Sequence, residues 1–275
     1  MELSQTHVVL TGASRAIGRE LVDVLAARGA RLSLIARNGE ALTQIVADLG
    51  DDRAGAFPCD LGDAAAIDGL VADIESARGP VDVLINNAGL DHTGAFRAMT
   101  ASQLRAVFGV NLVATAELCR QVVPGMIDRD RGHIVNVSSI AGSLASAGVI
   151  AYSATKAGVN QFTAGLRAEL RGTRVGTTLV EIGPAATQMM DSLRAYGPTA
   201  ASVRRLERFG LAPELDPHAV AEAMAGAIAA DRLHLRMPKR QAPIAMIGEF
   251  PRAIGRFITL GLHSRSEGER KGNTC

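Results

Sequence analysis

HVVLTGASRAIG, residues 7–18, decides the fold. Four residues of strand type, mostly apolar, run into a threonine and a glycine turn. A helical pattern then begins near Ala16 and stops at Gly29 after residue 28. This is a strand–turn–helix unit. A glycine at such a turn lets the backbone approach a ligand, and the first helical N–H groups point at whatever anion arrives, assisted by the helix dipole. A pyrophosphate suits that position; an ordinary tight turn is the other reading.

Outward from this unit, short apolar runs alternate with helical stretches. Residues 31–36 (RLSLIA), 54–58, 81–85, 133–137, 175–182 and 233–237 are expected as further strands. Helices are expected over 16–28, 40–49, 64–77, 101–127, 151–170 and from Pro217 to residue 230, the last opened by Asp216 as N-cap and a first-turn proline. The 81–85 run is almost unbroken in its apolar character, as a strand buried on both faces requires. Strand–helix alternation at this spacing gives right-handed crossovers. The predicted fold is α/β: a Rossmann-like, doubly wound parallel sheet of about seven strands with helices on both faces. Residues 1–240 are read as a single dinucleotide-binding and catalytic domain with a substrate lid at about 185–215. Residues 241–275 are read as a C-terminal amphipathic extension and mobile tail.

Composition narrows the function. The chain has 275 residues, 47% hydrophobic but only 3% aromatic, with no Trp and a net charge of +1. The core must therefore be Ala, Val, Leu and Ile. Neither the charge nor the aromatic content favours nucleic acid. Cys59, Cys119 and Cys275 share no close spacing, which fits free thiols in a reducing, cytoplasmic compartment and no metal cluster. The start runs almost directly into a strand, so no signal peptide is expected, and no uncharged apolar run of spanning length is seen.

The chemistry gathers at Tyr152 and Lys156, in a chain with two tyrosines and three lysines. Residues four apart share a helix face. An ammonium beside a phenol stabilises the phenolate, so the pair reads as a tyrosine made into a general acid/base. Ser138 and Ser139 lie just upstream and are placed to hold a carbonyl or hydroxyl. A surface tyrosine with a solvated lysine is the plainer reading of the pair alone.

Taken with TGASRAIG (11–18), Asp60 in CDLGD, NNAG (86–89), Asn111, NVSS (136–139) and YSATK (152–156), the pair resembles the short-chain dehydrogenase/reductase family. The resemblance spans residues 7 to about 188. It implies that Tyr152 protonates the substrate carbonyl or deprotonates the alcohol. Lys156 lowers its pKa and holds the nicotinamide ribose. Ser139, 13 residues before Tyr152 as is usual in the family, bonds the substrate oxygen. Asn111 interrupts its helix and anchors a water that links Lys156 to solvent. Gly12, Ser14, Ile17 and Gly18 surround the pyrophosphate, with Arg15 in the same loop. Asp60 accepts from the adenine amino group beside Leu61. Asn87, Ala88 and Gly89 line the adenosine side. Ile182, Gly183 and Thr187 meet the nicotinamide carboxamide. Two positions depart from the pattern: Ala16 stands for the usual loop glycine, and Ile182 for the proline that usually precedes Gly183.

The second strand ends at Ala36 and is followed by Arg37, where an NAD-binding chain would place an acid. Arg15 and Arg37 favour a 2′-phosphate, hence NADP(H); solvated surface arginines are the alternative. Residues 90–99, 141–150 and 185–215 should select the substrate. Small apolar residues between Ser139 and Tyr152, with Met189, Met190 and Leu193, suggest an apolar carbonyl or alcohol. His92 reads as a loop residue. Arg194, Arg204, Arg205 and Arg208 read as the solvated face of a lid, or as partners of an acidic group. Residues 243–262 carry an apolar stripe that suits a membrane surface, the pocket or a second subunit. Ala-rich faces on the two long helices suit a homodimer or homotetramer. The expected function is an NADP(H)-dependent oxidoreductase. The rivals are a non-catalytic NADP-binding redox sensor, a sugar epimerase or dehydratase of related fold, and a membrane-surface scaffold acting through the C-terminal helix.

Overall fold

The computed structural model describes residues 2–143, 147–185, 192, 194–197, 199–200, 204, 208 and 213–239. The stripe at 243–262, the tail, Thr187 and much of 185–215 lie outside the described residues.

Seven strands form one sheet: β1 (His7–Thr11), β2 (Arg31–Ala36), β3 (Ala54–Pro58), β4 (Val83–Asn86), β5 (Gly132–Ser139), β6 (Val175–Ile182) and β7 (His234–Met237). All pairings are parallel, in the order β3-β2-β1-β4-β5-β6-β7. The order reverses between β1 and β4. Crevices for ligands form at the C-terminal strand ends at such a reversal.

Helices cover both faces because both faces of the strands are apolar. Helices α1 (Ala16–Ala27) and α2 (Gly39–Leu49) pack on one side with the helix Pro217–Ala229, here α8. That core includes Leu21, Leu25, Leu34, Leu42, Val220 and Met224. On the other side lie α3 (Ala64–Ile67), α4 (Leu70–Arg78), α5 (Ala101–Phe108), α6 (Ala114–Asp128) and α7 (Ile150–Glu169). Val9, Ile74, Leu84, Leu118 and Met126 fill that core.

Local chemistry sets the element ends. Asp216 caps α8 through its carboxylate, which accepts from His218 and Ala219 N–H, with Pro217 in the first turn. Thr100 and Gln103 form a capping box at α5. Two expected helices differ from their reading. The 64–77 stretch is split into α3 and α4, because Gly69 adopts φ +74° between them. The 101–127 stretch is interrupted at Gly109–Val113 by a π-helical turn that contains Asn111. The combined run Ala101–Asp128 is long and apolar enough to span a bilayer by composition alone, yet Val107, Leu118, Val122 and Met126 are buried in the protein.

Candidate active site

Three of the predicted site residues gather at the C-terminal end of the sheet. Ser139 closes β5, and Tyr152 and Lys156 occupy the first turns of α7. Only 9% of Tyr152 and 4% of Lys156 is exposed. The Lys156 ammonium lies 5.7 Å from the Tyr152 ring centroid and donates to the Val137 carbonyl at 2.9 Å. One acceptor leaves an ammonium with donors to spare. The Ser139 hydroxyl donates to the Ile182 carbonyl (3.2 Å) and accepts from Ala141 N–H (3.1 Å), and its presence beside the Tyr152 phenol acts to lower that phenol's pKa.

Burial dominates the electrostatics. It pushes the Tyr152 phenol up to about 12, against the effect of Ser139, with Asp91 adding to the rise. It pushes the Lys156 ammonium down to about 8. The expected acidification of Tyr152 by Lys156 is therefore not a property of the protein alone: two desolvated groups each favour their neutral form. A neutral phenol remains a competent proton donor.

Asn111 gains its position from the π turn. Its side-chain oxygen accepts from Leu90 N–H (2.7 Å), and its nitrogen donates to the Leu90 carbonyl (2.9 Å) and to Thr155 Oγ1 (3.0 Å). Thr155 in turn donates to the Tyr152 carbonyl at 2.7 Å. The loop after β4 is thus fastened to the helix of the reacting pair. A Cβ added to Gly89 would lie 3.5 Å from Asn111 Oδ1 and 3.6 Å from Lys156 Nζ, so Gly89, Asn111 and Lys156 converge. Sequence reasoning passed over Thr155, although it sits within the YSATK motif.

The glycine loop after β1 is equally tight. Gly12 has φ +70°, and a Cβ there would meet Ala88 Cα at 3.0 Å. At Gly18 it would collide with the Gly12 carbonyl oxygen at 2.0 Å. Thr11, also missed as a site residue, accepts through its hydroxyl from Asn87 N–H (3.0 Å) and Ala88 N–H (2.9 Å), while Asn87 Nδ2 donates to the Thr11 carbonyl (3.0 Å). The TGASRAIG and NNAG segments thereby form one cradle. Ala16 stands at φ +46°, a left-handed conformation that explains why a glycine is usual there. Helix α1 begins with no side-chain cap and no acid in its first turn. Its orphan N–H groups and dipole suit a phosphate-bearing dinucleotide, and these residues fit such a group.

The remaining predicted residues that are described follow the C-terminal ends of strands or lie in the glycine loop. Ser14 and Ile17 are half-buried beside exposed Arg15. Arg37 is exposed just past β2, and exposed Asp60 and buried Leu61 follow β3. Asp60 Oδ1 accepts from Gly62 N–H at 2.9 Å. Ile182 ends β6, and Gly183 N–H donates to the Met237 carbonyl at 2.7 Å. Thr199 Oγ1 donates to the Ala147 carbonyl at 2.9 Å, so part of the expected lid segment meets the loop between Ser139 and Tyr152. Among the described residues no group of three or more His, Cys, Asp or Glu could hold a metal.

Comparison with known proteins agrees with this architecture. The short chain dehydrogenase family profile matches residues 6–196. The ketoacyl reductase HetN of Nostoc sp. is 35% identical over 204 residues, covering 73% of this chain and 71% of that protein. A short-chain dehydrogenase/reductase from Burkholderia phymatum, crystallised with NAD, superposes with a TM-score of 0.79 at 26% identity, covering 93% of this chain and 96% of the other. A metagenomic short-chain oxidoreductase in complex with NADP gives 0.69 at 31% identity, covering 86% of this chain and 99% of the other. Profile, relatives and site geometry converge, and the chain belongs to the short-chain dehydrogenase family of nicotinamide-dependent oxidoreductases.

Proposed function

We propose that the chain is an NADP(H)-dependent reductase, or the reverse dehydrogenase, acting on an apolar carbonyl or alcohol with Tyr152 as general acid/base. The convergence of Ser139 on the Tyr152 phenol beside Lys156 carries the reading. Bound nicotinamide supplies the hydride. Ser139 and Tyr152 grip the substrate oxygen, and Tyr152 delivers its proton to the oxygen as charge develops. A phenol that burial keeps protonated suits the reducing direction. Lys156, with donors free beyond Val137, holds the ribose and stabilises the phenolate left behind. Asn111 anchors the water through which Lys156 recovers its proton.

Gly12, Ser14, Arg15, Ile17 and Gly18 hold the pyrophosphate. Asp60 and Leu61 bind adenine, and Asn87 to Gly89 line the adenosine side. Ile182, Gly183 and Thr187 meet the carboxamide. Exposed Arg15 and Arg37, with no acid at the end of β2, support a 2′-phosphate. NADPH should bind at least about tenfold tighter than NADH, roughly 1.4 kcal/mol; equal affinities in a fluorescence titration would remove the NADP assignment. Free, buried Cys59 and Cys119 support a reducing compartment such as the cytoplasm. A homodimer or homotetramer is proposed from the Ala-rich faces of the long helices.

The test is NADPH oxidation at 340 nm across a panel of ketones, aldehydes and steroids. Substrate-dependent oxidation supports the reductase. Tight NADPH binding with no turnover on any member supports the redox-sensor reading instead.

A further inference from the structure

Glu181 lies on β6 with no exposed surface, and the reaction described above gives it no part. Its carboxylate is met from four directions. One oxygen accepts from the Ser143 hydroxyl and from the Asn160 amide, both at 3.1 Å. The other is bonded by His234 Nε2 and Arg236 Nε from β7. Burial alone would raise the carboxyl, but the His234 and Arg236 bonds outweigh it and hold the group below its ordinary value, hence ionised.

Each partner leads to a reacting group. Ser143 closes the 3-10 turn Ile140–Gly142 that follows Ser139 directly. Asn160 lies one helical turn beyond Lys156 on α7 and shares its face. Between them, Gly142 packs on the backbone of α7: a Cβ there would come within 2.8 Å of the Lys156 carbonyl carbon. Ser138 Oγ adds a bond to the Lys156 carbonyl at 3.1 Å. A single carboxylate oxygen therefore spans the turn that follows Ser139 and the helix that carries Tyr152 and Lys156. The other oxygen secures β7, whose Met237 carbonyl holds Gly183. A buried charge with its partners is a poor source of net stability compared with apolar packing. Its value here is geometric, because small displacements of reacting groups cost large factors in rate.

We propose that Glu181 is a positioning residue whose carboxylate fixes Ser139 against Tyr152 and Lys156 and ties the Ile182–Gly183 segment to β7. This rests on the catalytic reading above. The test is single-turnover stopped flow with saturating NADPH and 9,10-phenanthrenequinone, or the best carbonyl of the panel, comparing wild type, Glu181→Gln, Ser143→Ala and Tyr152→Phe. Single turnovers separate chemistry from binding and release. Glu181→Gln should slow the turnover rate at least about tenfold, while the amplitude and the NADPH Kd stay within about twofold of wild type. A merely structural role would lower the amplitude and leave the rate of the remaining sites unchanged, and that result overturns the proposal. Should Glu181→Gln fail to fold, Ser143→Ala decides, since it keeps the bonds to His234 and Arg236: a roughly threefold slower rate at full amplitude supports positioning, and a wild-type rate overturns it. Tyr152→Phe separates the two claims. An inactive Tyr152→Phe with a full-rate Glu181→Gln sinks this inference alone. A fully active Tyr152→Phe sinks the catalytic reading, and this inference with it.

Discussion

Buried titratable groups occur at both ends of the sheet, and the two ends treat them differently. At the N-terminal strand ends, His7 and His133 have their nitrogens matched. His7 meets the Gly79 and Pro80 carbonyls and Ser33 Oγ at 2.8–3.0 Å. His133 meets Thr178 Oγ1 at 2.8 Å and faces Asp231 at 3.4 Å. At the C-terminal ends, Lys156 is as deeply buried but spends one bond on Val137 and keeps donors to spare. The two matched histidines serve the fold. A buried charge with unused capacity is costly to keep and marks where a ligand is to be bound.

The comparison breaks most sharply at Lys156. Lys156→Met should cut turnover by at least about 10²-fold, as loss of acid/base support does. The same change should stabilise the fold by about 2 kcal/mol at neutral pH, because a lysine pushed down to about 8 opposes folding while it is charged. Urea unfolding and a turnover assay on one preparation check both; a variant that loses stability as well as activity would make Lys156 a fold residue like the histidines. In wild type, kcat/KM for NADPH reports the free enzyme and should fall as pH rises through about 8, where Lys156 loses its charge.

At the other end the sign is the same but the pH window lies lower. Burial pushes His133 down to about 4, so its folded form is neutral. Its stabilising share is fully present above the unfolded value of about 6.5 and is lost as pH falls through about 4. Up to about 3 kcal/mol should disappear between those limits, with His7, also pushed down by burial, adding in the same direction. Denaturant midpoints at pH 7.5 and 4.5 measure it, and His133→Asn should flatten the profile. A pH-independent midpoint in wild type would remove the matched-histidine account.

The smallest effect concerns Ala16. Its left-handed φ of +46° costs about 1 kcal/mol relative to glycine. Ala16→Gly should therefore raise the unfolding free energy by up to about 1 kcal/mol, less what the freer unfolded glycine takes back. A destabilised variant would show that the methyl packs usefully.

Much of this was legible in the sequence for a local reason. The strand–glycine–helix unit, the buried run of β4 and the Tyr152/Lys156 spacing are properties of neighbouring residues, and they locate the reversal of strand order. What escaped depends on distant partners. Glu181 reads as one more strand residue until Ser143, Asn160, His234 and Arg236 are folded around it. Spacing placed Lys156 next to Tyr152 but not the burial of both, which in the protein alone raises the phenol and lowers the ammonium. The break at Asn111 was implied by the family resemblance and not by periodicity, since a π turn shifts the apolar pattern by a single residue. The break at Gly69, by contrast, was available, because a lone glycine in a polar helical stretch is a common stop.

The most direct measurement is turnover by Tyr152→Phe on any carbonyl that the wild-type enzyme reduces, with NADPH affinity measured alongside. Removing the phenolic oxygen should cut kcat by at least about 10²-fold while the NADPH Kd stays nearly unchanged, since only proton delivery is lost. A Tyr152→Phe variant that reduces the same carbonyl at the wild-type rate would show that the proton comes from elsewhere.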